Sequence, residues 1–284
     1  MKKRLNNGIE IPEIGFGVFR MGNDQECEEA VIKAIQSGYR LIDTAAAYEN
    51  EEAVGRAIQK CGVPRKELFI TTKLWVTDTS YEKAKKAFER SLQRLGLDYI
   101  DLYIIHQPYN DYYGAWRALE ELYEEGKVRA IGVDNFSEEK LADFLFFNKI
   151  KPAVNLIECN PFYQRESDLK YLTQENIQMQ AWSPLAAGHT NIFDNEVLNK
   201  IADKHHKSVA QVILRWLIQR NIIPLVKTTN EKRMKENLDI YDFALDQDDM
   251  LDIASLDTGH SCFPERNNAA SVQQFLETAL KYNV

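Results

Sequence analysis

The stretch "LIDTAAAYENEEAVG" (residues 41–55) joins a short apolar segment, a loop of small residues and the start of a helix. The apolar run stops at Asp43, Tyr48 follows five positions later, and an amphipathic helix begins after Asn50. A carboxylate directly after a buried strand has two interpretations. It either caps the loop, or it lies with the tyrosine at the mouth of a site, as in folds that bind ligands where strands end.

The same order of strand and helix recurs along the chain. Predicted strands cover residues 13–18, 39–43, 68–73, 100–106, 129–133, 153–158, 177–183 and 222–227. Predicted helices include Gln25–Ser37, Glu51–Gln59, Tyr81–Leu95, Tyr113–Glu125, Glu138–Phe147 and Ser208–Gln219, with apolar residues recurring at helical spacing. Such alternation indicates parallel strands with right-handed crossovers.

Eight strand–helix units predict an α/β fold, a closed (β/α)8 or TIM barrel. The alternative is an open doubly wound sheet, which normally carries a glycine-rich fingerprint after its first strand. Here Gly15 and Gly17 are followed by Arg20 where the third glycine would stand. We expect a single domain over residues 1–284, with an N-terminal β-hairpin turning at 6–8 and a C-terminal loop and helix tail after Leu245.

The composition and net charge of the chain limit the kinds of molecule that it can bind. The chain has 284 residues, 44% of them hydrophobic, and a net charge of -8, which argues against nucleic acid and anionic membranes. No apolar stretch follows the basic start as in a secretory signal, and none is long enough to span a membrane. The four cysteines are scattered, as expected for reduced thiols in a cytoplasmic protein. We expect a monomer or weak oligomer acting on a small molecule.

Polar residues end the predicted strands on one rim of the barrel. Asp43, Lys73 and His106 each follow an apolar run, and Tyr48 lies on the loop after the second strand. Taken singly, these residues are better explained as a loop cap (Asp43), a solvated charge (Lys73) and a core histidine (His106). Together, the lysine and the aspartate would have to pair to be tolerated near buried strands. A phenol beside that lysine would have a lowered pKa and would serve as a general acid.

These residues lie in motifs that resemble the aldo-keto reductase family. The motifs are "DTAAAYENEEAVGRAI" (43–58), "TTKLW" (71–75), "IDLYIIHQP" (100–108) and "GKVRAIGVDNFS" (126–137), within a match from about residue 5 to about residue 245. The resemblance implies a (β/α)8 barrel that uses NADPH to reduce aldehydes and ketones. It implies a catalytic tetrad of Asp43, Tyr48, Lys73 and His106, in which Tyr48 donates a proton and His106 orients the substrate.

A basic segment, "LVKTTNEKRMKEN" (225–237), follows the last strand. Thr228 and Glu231 have the spacing of a capping box, which would place Lys227 and Arg233 beside a helix N-terminus suited to anions. A solvated basic helix explains the residues equally well. The resemblance implies that Lys227, Thr228 and Arg233 hold the 2′-phosphate of NADP(H), with Asn237 completing the pattern.

The resemblance assigns further residues to the cofactor. Trp182 would stack on the nicotinamide, Ser183 and Leu185 would approach the pyrophosphate, and Asn135 would bind the carboxamide. Two residues depart from the family pattern. Asp134 replaces a common serine and brings a potential negative charge, and Leu156 replaces a common glutamine.

Residues after the first, third and fourth strands are candidates for the substrate pocket. They are Phe19, Trp75 and Gln107, the last in a place where many relatives have tryptophan. We expect Gln107 to make the mouth wider and wetter, and the tail "HSCFPERNN" (260–268) to cover it in part. The carbonyl substrate itself is not specified.

Two other functions compete with a reductase. One is a non-catalytic subunit of the same fold that senses NADP(H), against which an intact tetrad argues. The other is a metal-dependent barrel hydrolase, which needs several His and Asp ligands at strand ends. Only His106 and Asp43 qualify, so we predict no metal site.

Overall fold

A computed structural model describes residues 1–282 and 284 and contains the predicted closed barrel. Strands β1 (Lys2–Arg4) and β2 (Glu10–Pro12) form the hairpin. The barrel strands are β3 (Gly15–Gly17), β4 (Leu41–Asp43), β5 (Phe69–Leu74), β6 (Ile100–Ile105), β7 (Val128–Asp134), β8 (Val154–Glu158), β9 (Gln178–Trp182) and β10 (Ile223–Val226). All neighbours are parallel, and β10 pairs with both β9 and β3, which closes the sheet. The open-sheet alternative is therefore wrong.

Helices surround the barrel. They are α1 (Asp24–Ser37), α2 (Glu51–Lys60), α3 (Tyr81–Leu95), α4 (Tyr112–Glu124), α5 (Glu138–Phe147), α6 (Glu166–Gln174), α7 (Glu196–His205), α8 (Val209–Gln219), α9 (Glu231–Leu238), α10 (Gln247–Ala254) and α11 (Ala269–Ala279). Local signals set their ends: α1 begins at Asn23, whose side chain accepts from the Glu26 N–H, and stops at Gly38, whose φ of 119° suits glycine. The six named helices are confirmed, and the tail contains two, α10 and α11.

The hairpin closes the N-terminal end of the barrel. Its turn is held by the Asn6 and Asn7 side chains, which donate to the carbonyls of Pro152 (2.8 Å) and Arg129 (2.9 Å) at the starts of β8 and β7. Leu5 and Ile11 are buried in the apolar cluster that fills the barrel interior. The N-terminal end of the barrel is thus apolar and covered by the hairpin. The polar rim lies at the opposite end, where the strands have their carboxyl ends.

Two apolar layers hold the barrel together. One fills its interior and includes Leu41, Phe69, Leu102 and Leu156, and the other, much larger, lies between the sheet and the helices. Burial of this area supplies the main favourable term in folding. Among residues 1–282 and 284, no helix is both long enough and apolar enough to cross a membrane.

A close contact between α2 and α3 tests this packing. A Cβ atom on Gly55 would lie 2.4 Å from the Leu95 carbonyl oxygen, which belongs to the backbone and cannot swing aside. We expect Gly55→Ala to destabilise the protein by about 1–3 kcal/mol, although alanine is ordinarily the better helix former. Urea unfolding measures this, with Glu52→Ala on the exposed face of α2 as the control. A gain in stability would show that the helices are not tightly packed here.

Candidate active site

Four side chains meet at the carboxyl end of the barrel. Asp43 ends β4, Lys73 lies near the end of β5, and His106 directly follows β6. Tyr48 is delivered by a short 3-10 turn, Ala46–Tyr48, that lies between β4 and α2. The structure therefore brings together all four residues that the sequence singled out.

Lys73 is the centre of this group. Its Nζ lies 2.5 Å from Asp43 Oδ1, 2.9 Å from the Thr44 carbonyl oxygen and 3.3 Å from the Tyr48 hydroxyl. The side chain is fully buried, and Asp43 is 4% exposed. Burial lowers the pKa of Lys73, but the nearby acidic groups, Asp43 first among them, together outweigh burial, so the pKa lies above its usual range. Lys73 is thus an ammonium group that donates to the phenol.

The expected fall in the pKa of Tyr48 is wrong. Burial raises the pKa of Tyr48, and the positive charge of Lys73 offsets only part of that rise. The carboxyl groups of Asp43 and Asp134 raise it further. The sequence argument considered the charge and not the loss of solvation, which disfavours a buried phenolate. Tyr48 therefore holds its proton at neutral pH.

The loop between Asp43 and α2 is fixed by Asn50. Its side chain does not cap the helix. Instead it accepts from the Thr44 hydroxyl at 2.8 Å and donates to the Val18 carbonyl at 3.0 Å. The small residues 44–47 let this loop fold tightly beneath Tyr48. The Asn50 side-chain amide connects the loop to the residue that follows β3.

His106 packs among aromatic rings. Its ring centroid lies 5.6 Å from that of Tyr48 and 5.0 Å from that of Trp75. The imidazole is 8% exposed. Burial and the nearby Lys73 charge lower the pKa of His106 well below its usual range. The side chain is therefore a neutral imidazole with one N–H to donate.

Asp134 lies buried beside the imidazole of His106. It is 2% exposed, and its Oδ2 lies 3.7 Å from His106 Nε2. Burial raises the pKa of Asp134 well above its usual range, although Lys73 acts in the opposite direction. A neutral imidazole beside a protonated carboxyl group is the arrangement that burial favours.

The predicted cofactor residues at the ends of β7 and β9 contact each other. The Trp182 indole N–H donates to Asn135 Oδ1 at 3.0 Å, and Asn135 Nδ2 donates to the His106 carbonyl at 3.3 Å. Asn135 and Ser183 have φ angles of 64° and 47°, in the left-handed region. The chain thus turns sharply where each of these strands ends, with Leu185 half-buried two residues after Ser183.

The basic segment differs from its predicted form in one respect. The N-cap of α9 is Asn230, whose side chain accepts from the Arg233 N–H at 3.2 Å, so the capping box at Thr228 is wrong. Asparagine is the better cap, and the Thr228 hydroxyl instead accepts from the Asn230 N–H. Lys227 and Arg233 are exposed near this helix start, whereas Asn237 is buried on its inner face.

The predicted substrate residues surround Tyr48 and His106. The Phe19 ring lies 4.9 Å from that of Tyr48 and is 47% exposed. Trp75 is buried, and its indole N–H donates to the Ala279 carbonyl at 3.1 Å. Gln107 is 5% exposed and accepts from Arg266 at 2.8 Å, so the expectation of a wetter mouth at this residue is wrong.

The tail covers this rim as expected, through residues that sequence reasoning missed. Glu158, at the end of β8, accepts from the Ser261 hydroxyl at 2.5 Å and the Cys262 N–H at 3.0 Å. The Phe263 ring lies 5.3 Å from Trp182. A carboxylate at a strand end was a signal for Glu158, but nothing in the sequence pairs it with a tail residue about a hundred positions away.

Gln180 is a second residue that was missed. It is fully buried, adjacent in register to Leu156, and neither its amide nitrogen nor its oxygen has a hydrogen-bond partner in the part of the chain that the structure describes. Two glutamines spaced by two in "QMQAW" (178–182) were the available signal. In the same residues, no group of three or more His, Cys, Asp or Glu side chains is placed to hold a metal ion, which gives the hydrolase no support.

The buried ion pair has a testable cost. Asp43→Leu leaves the Lys73 ammonium without its carboxylate, and we expect a loss of about 3–5 kcal/mol in the free energy of unfolding. The double variant Asp43→Leu, Lys73→Met removes both charges and should recover most of that loss. Denaturant unfolding measures both, with Glu10→Gln in an exposed pair as the control. Equal losses in the single and double variants would mean that packing, not charge, sets the cost.

Comparisons with known proteins agree with this geometry. Residues 13–258 match the model of the Aldo/keto reductase family. The chain is 51% identical over 254 residues to glyoxal reductase of Bacillus subtilis (strain 168), covering 89% of this chain and 91% of that protein. A crystal structure of an aldo-keto reductase from a Medee basin deep-sea metagenome library superposes with a TM-score of 0.91 at 45% identity, covering 94% of this chain and 99% of that one. The Bombyx mori aldo-keto reductase, solved in complex with NADP, gives a TM-score of 0.89 at 34% identity, covering 93% and 95%. The chain belongs to the aldo/keto reductase family.

Proposed function

We propose that the protein is an NADPH-dependent oxidoreductase that reduces the carbonyl group of small aldehydes and ketones to an alcohol. The proposal rests on one contact: the Lys73 ammonium donates to the Tyr48 hydroxyl while the Asp43 carboxylate holds it in place. The similarity to a glyoxal reductase supports a small carbonyl compound as substrate.

The residues around the rim fit NADP(H). The half-buried Trp182 indole offers a flat apolar face for the nicotinamide, and Asn135, beside it, carries an amide that can pair with a carboxamide. Asp134 Oδ1 is a buried oxygen with no hydrogen-bond partner among the described residues, so it is available beside Asn135. Ser183 and Leu185 would flank the pyrophosphate, and Lys227, Thr228 and Arg233 would hold the 2′-phosphate at the start of α9. Asn237 would contact the adenosine end only by turning out of its buried position.

When NADPH is bound by these residues, its chemistry would be hydride transfer to the carbonyl carbon. Tyr48 gives its proton to the carbonyl oxygen, and the phenolate that remains accepts from the Lys73 ammonium. Lys73 thus offsets the cost of a buried phenolate only when the proton leaves. The neutral His106 imidazole donates a hydrogen bond to the same oxygen and orients the carbonyl group. The Phe19 and Trp75 rings flank the substrate, and Gln107 borders it.

The intact tetrad favours an enzyme over a non-catalytic subunit that senses NADP(H). A sensor needs the cofactor residues but gains nothing from a buried ion pair aimed at a phenol. Because that pair costs desolvation energy, a catalytic role is the better explanation of it.

Tyr48→Phe tests the proton donor. It removes the hydroxyl and keeps the ring, so NADPH should still bind while carbonyl reduction falls by ~10²-fold or more. NADPH absorbance with methylglyoxal reports turnover, and fluorescence titration reports cofactor binding. Tyr81→Phe on the outer helix α3 is the matched control. Near-normal turnover in Tyr48→Phe would eliminate this residue as the acid.

Arg233→Ala tests the choice of cofactor. Loss of a charged contact to the 2′-phosphate should weaken NADPH binding by ~1.5–3 kcal/mol and leave NADH binding nearly unchanged. Lys232→Ala, one position earlier on α9, removes the same charge and should change neither affinity. If Arg233→Ala weakened NADPH and NADH equally, Arg233 would be structural rather than selective.

A further inference from the structure

One cation lies at the candidate substrate mouth and is not used by the proposed reaction. Arg266, on the tail, donates from Nη1 to Gln107 Oε1 at 2.8 Å, and its guanidinium carbon lies 3.9 Å from the centroid of the Phe275 ring. Gln107 is the residue after His106. The tail therefore places a positive charge against Gln107, the chain neighbour of the imidazole that would orient the carbonyl group.

The protein groups that contact the Arg266 guanidinium carry no charge. Its hydrogen bond goes to a neutral amide, and its stacking partner is an uncharged ring. In the described residues, no carboxylate lies within 4.0 Å of the guanidinium as an ion-pair partner. Asp134, a carboxyl group that acts on Arg266 from a greater distance, is buried, and burial raises its pKa well above its usual range.

The position of Arg266 is held from both sides. Glu158 fixes the tail before it, through Ser261 and Cys262, and the Trp75 indole fixes α11 after it, through the Ala279 carbonyl. An arginine held in this way presents its remaining N–H groups as a planar fork, which suits a carboxylate. Burial lowers the pKa of Arg266, but the residue as a whole is exposed at the rim, so water still screens its charge in part.

We propose that Arg266 is a specificity-determining residue that selects carbonyl substrates carrying a carboxylate group. This inference rests on the proposed reductase function. Arg266 bonds the end of the Gln107 side chain and not His106 itself, so the guanidinium is displaced from the carbonyl-oxygen position. We therefore assign it substrates whose carboxylate lies several bonds from the carbonyl group, such as carboxylated aldehydes. A substrate without the anion would make no charged contact with this guanidinium.

Two aldehydes of nearly equal shape test this selection. In 4-carboxybenzaldehyde and 4-nitrobenzaldehyde, a planar anionic group is replaced by a planar neutral one. We expect Arg266→Gln to lower the ratio of their kcat/KM values, carboxylate over nitro, by roughly 10-fold or more, the size expected for a hydrogen bond to a charged group. Arg266→Lys should retain part of the preference. Arg117→Gln on the exposed face of α4 makes the same change in net charge and is the matched control.

The outcomes separate this proposal from the proposed reductase function. An unchanged ratio in Arg266→Gln, with both aldehydes still reduced, would overturn the anion contact and leave the reductase intact. An equal fall for both aldehydes would assign Arg266 to the support of the tail and would also overturn it. Calorimetric binding of 4-carboxybenzaldehyde in the presence of NADP+ is independent of turnover. If no carbonyl compound is reduced, weaker binding by Arg266→Gln than by wild type supports the anion contact, and equal binding overturns it.

Discussion

The ammonium group of Lys73 lies inside a closed barrel, where water cannot solvate it, and Asp43 at 2.5 Å is its counter-ion. A buried charge of this kind is tolerated only if it is paired and hydrogen-bonded, and the Thr44 carbonyl and the Tyr48 hydroxyl complete its partners. This requirement fixes the register of β4 against β5 and the path of the loop that follows β4. The orientation of Tyr48 thus depends on its hydrogen bond to the Lys73 ammonium as well as on the rigidity of the loop.

Burial shifts the protonation of the neighbouring groups in one direction, toward neutrality. It raises the pKa of Tyr48, Asp134 and Asp43 and lowers that of His106, and the Lys73 ammonium acts against the rise at Asp43. The tail adds a further cation, the exposed Arg266, beside Gln107, while Glu158 anchors the same tail.

The fold could be predicted from local sequence patterns because each strand, helix and turn depends mainly on residues close to it in the chain. Alternating apolar runs and amphipathic segments predicted the eight strands and the parallel barrel, and Asn6, Asn7 and Gly8 predicted the hairpin turn. The capping box at Thr228 was wrong because Asn230, two residues on, is a competing cap that spacing alone cannot rank. Burial of Gln107 was missed for another reason: its partner lies 159 positions away in a tail of irregular sequence.

The sequence alone determined which side chains reach the rim, since the residue that ends each parallel strand must lie at the same edge of the sheet. That placed Asp43, Lys73 and His106 together, with Tyr48 on the loop after the second strand, and family resemblance added their catalytic roles. Only the tertiary structure decided their protonation, because solvation depends on every atom packed around a group and not on its position in the chain. It likewise decided that Arg266, far along the chain in the tail, lies beside Gln107: contacts across such distances form only when the whole barrel has closed and the tail has folded over it.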